Sequence, residues 1–164
     1  MHSINLLDDD CFALRQASRH ISKLYEHHLS AVDITPTQFS ILGTLAVNAG
    51  LTMAELAKAM VMDRTTLVRV LKPLLRRGLV ATPAEGNRQR RLQAVLTEDG
   101  SKKLDEAAVH WAAAQASFER DFGSQQAARL RRELFRMTHD TSDSWPLRQL
   151  IHANPDIDTR NMPG

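Results

Sequence analysis

Between Asp63 and Arg91 the chain gathers side chains suited to one kind of chemistry, the binding of a polyanion. Eight basic residues (Arg64, Arg69, Lys72, Arg76, Arg77, Arg88, Arg90 and Arg91) stand there against two acids, Asp63 and Glu85. The stretch therefore carries +6, and since the whole chain carries +2, the remainder carries −4. Such asymmetry is the electrostatic footprint of a face turned to phosphates. A solvated charged surface shows the same cluster, so the elements that carry these residues decide between the two readings.

Caps and spacing make those elements legible. Asp8 to Asp10 place negative charge where a helix N-terminus favours it, and Leu14, Ala17, Ile21, Leu24 and Leu29 continue a helix to about Ser30. Thr35-Pro36-Thr37-Gln38 opens a second helix, with Thr35 as cap, Pro36 in the first turn and Gln38 completing a capping box. Phe39, Leu42, Leu45 and Ala46 supply its buried stripe, and Asn48 to Gly50 end it. A second box, Thr52-Met53-Ala54-Glu55, starts a short helix to about Ala59; after Met60-Val61-Met62, Asp63 caps another that Gly78 ends. Two helices joined by so brief a turn form a helix-turn-helix unit. Leu79 to Thr82 and Arg91 to Leu96 then read as strands around the polar segment Pro83 to Arg90.

Thr97 caps a long helix whose Leu104, Ala108, Trp111, Gln115, Phe118 and Phe122 alternate steps of four and three, a coiled-coil-like seam. Ser124 caps a last helix with Leu130, Leu134 and Met137. The expected fold is mostly α with a small β-hairpin wing: a winged helix-turn-helix with N- and C-terminal dimerisation helices. Residues 1–34 form the first dimerisation helix, 35–97 the winged unit, 98–140 the second dimerisation region, and 141–164 a tail, partly disordered or docked. Two-fold symmetry would set two reading helices ~34 Å apart, one turn of duplex.

In the helix from Asp63 to Gly78, Leu67, Leu71, Leu74 and Leu75 would anchor one side, leaving Arg64, Thr65, Val68, Arg69 and Lys72 on the other. Arginine pairs bidentately with guanine, and threonine or valine methyl groups touch the thymine methyl. Thr66, Lys72 and Arg76 are expected on phosphates, which set register without reading sequence. Pro73 removes an interior N–H and predicts a kink between a base-reading half and a packing half. Arg88, Arg90 and Arg91 suit the minor groove or the adjacent backbone.

Other classes find little support. No apolar run reaches the ~18 residues of a membrane span. The first residues carry three aspartates and no basic stretch, so no secretory leader is expected. The single cysteine, Cys11, excludes an internal disulfide framework and suits a reducing cytoplasm. Seven histidines fall in no metal-ligand spacing. No Gly-rich phosphate loop, nucleophile motif or paired-cysteine site is present, so neither an enzyme nor a cofactor is expected. A winged module for protein contacts alone is the alternative, against which the basic cluster speaks.

This order of elements resembles the MarR family of bacterial regulators from about Asp8 to Asp140. Leu51-Thr52-Met53-Ala54-Glu55-Leu56-Ala57, Met62-Asp63-Arg64-Thr65-Thr66-Leu67-Val68-Arg69, Leu74-Leu75-Arg76-Arg77-Gly78-Leu79-Val80 and the junction from Arg90-Arg91 to Leu96-Thr97 carry the likeness. The resemblance implies a homodimer with intertwined first, fifth and sixth helices on a pseudo-palindromic operator. It also implies repression relieved by a small aromatic effector or an oxidant. Where the family wing often has Asp before its arginine pair, this chain has Gln89, which removes an ion pair that would brace the wing. By the same analogy Tyr25, Phe39 and Trp111 would line an effector cleft. Cys11 resembles the redox sensor of the peroxide-responsive branch, although Arg15 stands where that branch tends to carry tyrosine. A buried core thiol is the other reading of Cys11.

Overall fold

The computed structural model describes residues 6–48, 50–82 and 93–138. Six α-helices, two short 3-10 helices (Leu6–Asp8 and Ser30–Val32) and three short strands occur there: α1 (Asp10–Leu29), α2 (Pro36–Val47), β1 (Leu51–Thr52), α3 (Met53–Ala59), α4 (Arg64–Arg76), β2 (Val80–Ala81), β3 (Gln93–Leu96), α5 (Glu98–Phe122) and α6 (Ser124–Thr138). The wing residues Arg88, Arg90 and Arg91 and the tail 141–164 lie outside the described residues.

The helices start where side-chain oxygens meet orphan N–H groups. Thr35 and Thr52 form complete capping boxes with Gln38 and Glu55. Asp63 accepts from the Thr66 amide and Thr97 from the Gly100 amide. Of the three aspartates at the start of α1, Asp9 is the cap, through the Phe12 amide at 2.6 Å. One start differs from the sequence reading by one residue: α6 already includes Ser124, with the Ala127 amide on the Gly123 carbonyl.

The sheet is antiparallel in the order β1-β3-β2, with Leu51 opposite Ala94 and Val80 opposite Leu96. Strand β1 escapes sequence reading because two residues carry no periodicity, and Thr52 is at once strand and helix cap. Gly100, buried at the start of α5, lies so close to the Leu79 carbonyl that a Cβ would overlap it. The Thr97 hydroxyl donates to the Gly78 carbonyl at 2.7 Å, so strand entry and helix start are locked together.

One core joins these elements. Ile41, Leu42, Leu56, Leu67, Leu71, Leu74 and Val80 are among its fully buried side chains. The stripe of α4 is narrower than expected: Leu75 remains 37% exposed, because one residue past Leu74 turns it about 100° around the helix. Helix α4 also runs unbroken through Pro73, with buried Leu67 and Leu71 before it and Leu74 after it. Packing thus spans the whole helix, and the division into a reading half and a packing half does not hold.

The expected seam of α5 divides as well. Its buried face within the chain is Gly100, Ala107 and Ala114, the small residues that let α1 and α2 approach. Leu104 and Trp111 join the core, whereas Phe122 stays 46% exposed.

Candidate nucleic-acid interface

The basic face begins with the turn that delivers α4. The Met62 amide donates to the Ala57 carbonyl and the Val61 amide to Lys58, a Schellman closure of α3. This closure holds Val61 at φ 51, where glycine is the usual residue. Asp63 follows, its carboxylate accepting both the Thr66 hydroxyl (2.7 Å) and the Thr66 amide (2.8 Å). Those bonds, the hydroxyl first, hold the Asp63 carboxyl below its ordinary 3.8. The same logic at α3, led by the Thr52 hydroxyl, lowers Glu55.

With Leu67, Leu71 and Leu74 turned inward, Arg64, Thr65, Val68, Arg69, Lys72 and Arg76 are exposed on the opposite side of α4. Among the described residues Arg64, Arg69, Lys72 and Arg76 have neither a hydrogen bond nor an ion pair. Four cations and an apolar contact, Val68, thus share a face on which no described anion neutralises them. Two other residues of this stretch behave differently. Thr66 has committed its hydroxyl hydrogen to Asp63. Arg77 reaches the α1–α2 junction, where Nη1 donates to the Asp33 carbonyl at 2.6 Å.

A second concave site opens where α1, α5 and α6 meet. It is a cavity of about 300 Å³, with Tyr25, Trp111, Gln115, Phe118, Leu130 and Arg131 in its lining. The Tyr25 hydroxyl donates to Gln115 Oε1 at 2.5 Å, Gln115 Nε2 donates to Glu119 at 2.6 Å, and Arg131 donates to the same Glu119 oxygen at 3.1 Å. Burial raises the Tyr25 phenol above its ordinary 10.0, Arg131 opposing and Glu119 assisting. Trp111 stacks on Phe39 (4.3 Å between ring centres) and meets Tyr25 edge-on at 4.4 Å. Phe39 therefore supports the wall from behind and does not line the cavity. Sequence spacing did not reveal Glu119 or Arg131, since a contact between helices leaves no periodicity; Gln115, polar within an apolar seam, was the one visible trace.

Cys11 is exposed near the start of α1, so within this chain it is not a core thiol. Among the described residues no cluster of three metal-ligating side chains occurs. No described helix is long and apolar enough to cross a membrane.

Comparison with known proteins places these features in context. Residues 32–91 match the MarR family. The HTH-type transcriptional regulator SarZ of Staphylococcus haemolyticus is 31% identical over 90 residues, 55% of this chain and 61% of that protein, so the match spans about three-fifths of that relative. The transcriptional regulator MosR of M. tuberculosis, solved in complex with DNA, is 31% identical, with 80% of this chain and 94% of that one covered at a TM-score of 0.69. CouR of Rhodococcus jostii, bound to p-coumaroyl-CoA, shares the fold at 22% identity and a TM-score of 0.70, covering 86% and 99%.

Proposed function

The chain belongs to the MarR family, and from that membership we propose that it is a sequence-specific DNA-binding repressor acting as a homodimer in the cytoplasm. Helix α4 enters the major groove, where Arg64 and Arg69 read bases, Thr65 and Val68 touch methyl groups, and Lys72 and Arg76 hold phosphates. Thr66 serves chiefly by locking the Asp63 cap. Arg88, Arg90 and Arg91 are assigned to the adjacent minor groove or backbone. The observation that carries this reading is the set of four cations that have no partner among the described residues, opposite a buried leucine stripe. The exposed Leu14, Phe122, Phe135 and Met137 on α1, α5 and α6 supply apolar surface for the partner copy.

Repression is relieved by a small aromatic effector in the cavity beside Tyr25 and Trp111, the volume being at the lower end for ligand pockets. Oxidation of the exposed Cys11 is the second route of relief. Selection of duplexes from a random library tests the DNA reading directly. Enrichment of a palindrome whose affinity falls steeply with salt supports it. Binding that enriches no sequence supports the protein-contact module instead. Cys11→Ser should abolish any peroxide effect on binding while leaving operator affinity unchanged.

A further inference from the structure

Arg77 belongs by sequence to the basic cluster, yet the fold spends it elsewhere. Its guanidinium crosses from the end of α4 to the turn between α1 and α2 and donates to the Asp33 carbonyl at 2.6 Å. The Asp33 carboxylate lies farther off, at 3.6 Å, and is 94% exposed, so it adds little. The carbonyl is the working acceptor of a charge-assisted bond. Its position is well defined: Asp33 sits in the left-handed region at φ 53, between Val32 and Ile34, both buried.

The tether adds a polar link between two elements of the one core. One end is the C-cap of α4; the other is the junction leaving α1, which packs along α5. Helix α4 has 13 residues, about 20 Å of lever at 1.5 Å per residue. A tilt of about 10° at Arg77 therefore moves Arg64 and Thr65 by about 3.5 Å, roughly one base step.

We propose that Arg77 is a positioning residue: its bond to the Asp33 carbonyl fixes the tilt of α4, and hence the half-site spacing that the dimer accepts, and it holds no phosphate. The inference rests on the DNA-reading role of α4 proposed above.

Two measurements on the full chain test it. The first takes the operator selected by the wild-type protein and compares spacings altered by one base pair, at several salt concentrations. Wild type should penalise the altered spacing about tenfold and Arg77→Met about threefold or less, with an unchanged salt slope. Arg76→Met should instead lower the slope by about one and keep the spacing preference. Asp33→Asn, which retains the carbonyl, should match wild type. The second measurement needs no DNA. Spin labels at Arg19→Cys and Thr65→Cys in one chain, in a Cys11→Ser background diluted with unlabelled protein, should give a narrow distance distribution that Arg77→Met broadens and Arg76→Met does not.

A lowered salt slope with an unbroadened distance in Arg77→Met would make Arg77 a phosphate ligand and overturn the proposal. Should Arg77→Met not fold, Arg77→Gln, which stops short of the carbonyl, replaces it with the same expectations. If wild type selects no sequence, the DNA-reading role fails, and the label distances still decide the tether.

Discussion

The outer face of α4 and the cavity between α1, α5 and α6 use the same kinds of side chain in opposite ways. On α4, Arg64, Arg69, Lys72 and Arg76 have no internal partner among the described residues. Around the cavity, Arg131, Glu119, Gln115 and the Tyr25 hydroxyl form one continuous hydrogen-bonded chain. An unpaired exposed cation costs the folded protein little and remains free for an outside anion. A paired polar group is already satisfied, so a cavity ligand must replace bonds that exist. On the proposed reading, the first region serves affinity to polyanions and the second discrimination between ligands.

The largest test removes what lets α4 face outward. Leu71, 1% exposed, sits mid-stripe; Leu71→Ala should lower stability by about 2–5 kcal/mol, read by denaturant unfolding. A loss below 1 kcal/mol would mean that the stripe does not anchor the basic face.

Next in size is a pair of substitutions that separates the two regions. Arg69→Ala should weaken DNA binding by about 1–3 kcal/mol and leave the melting temperature unchanged, because no hydrogen bond or ion pair among the described residues is lost. Arg131→Ala should do the reverse: unchanged DNA affinity in the absence of effector, and stability lower by up to about 1 kcal/mol, the Glu119 pair being one-third exposed. If both variants melt early, the contrast between the regions is wrong.

A smaller effect, of opposite sign, comes from the turn before α4. Val61 holds φ 51 with its side chain 76% exposed, so it bears backbone strain without packing in return. Val61→Gly should raise stability by about 1 kcal/mol. Gly78, at φ 68 behind α4, already uses the unstrained residue at the matching position of the next helix end.

The smallest effects lie at the two ends of the pH scale. The folded pKa of Asp63 is depressed, so its cap is fully effective above 3.8 and is lost as pH falls through the lower folded value. Melting below pH 3.8 should show that loss in wild type and a flatter profile in Asp63→Asn. Tyr25 is raised, so its contribution is complete below 10.0 and is lost as pH rises through the higher folded value. As the only tyrosine, it should show its phenolate absorbance with a midpoint above 10.0; a midpoint at 10.0 would place Tyr25 in water.

Much of the fold was legible in the chain. The boxes Thr35–Gln38 and Thr52–Glu55, the caps at Asp63 and Thr97 and the end at Gly78 act over three or four residues, so spacing alone reveals them. The outward set of α4 follows from the helical period once Leu67, Leu71 and Leu74 are taken as buried. What escaped was short or distant: β1 with two residues, the Gly100–Ala107–Ala114 face of α5, and the reach of Arg131 to Glu119.

The chain by itself determined where helices begin and end, which face of α4 is basic and which family the protein resembles, because caps and periodicities are local. Only the tertiary structure decided how each cation is used. Arg76 and Arg77 are neighbours of identical chemistry, yet among the described residues one has no partner and the other is bound to Asp33, 44 residues away. That choice depends on which backbone carbonyl the packed core brings to the end of α4, and no spacing along the chain encodes such a meeting.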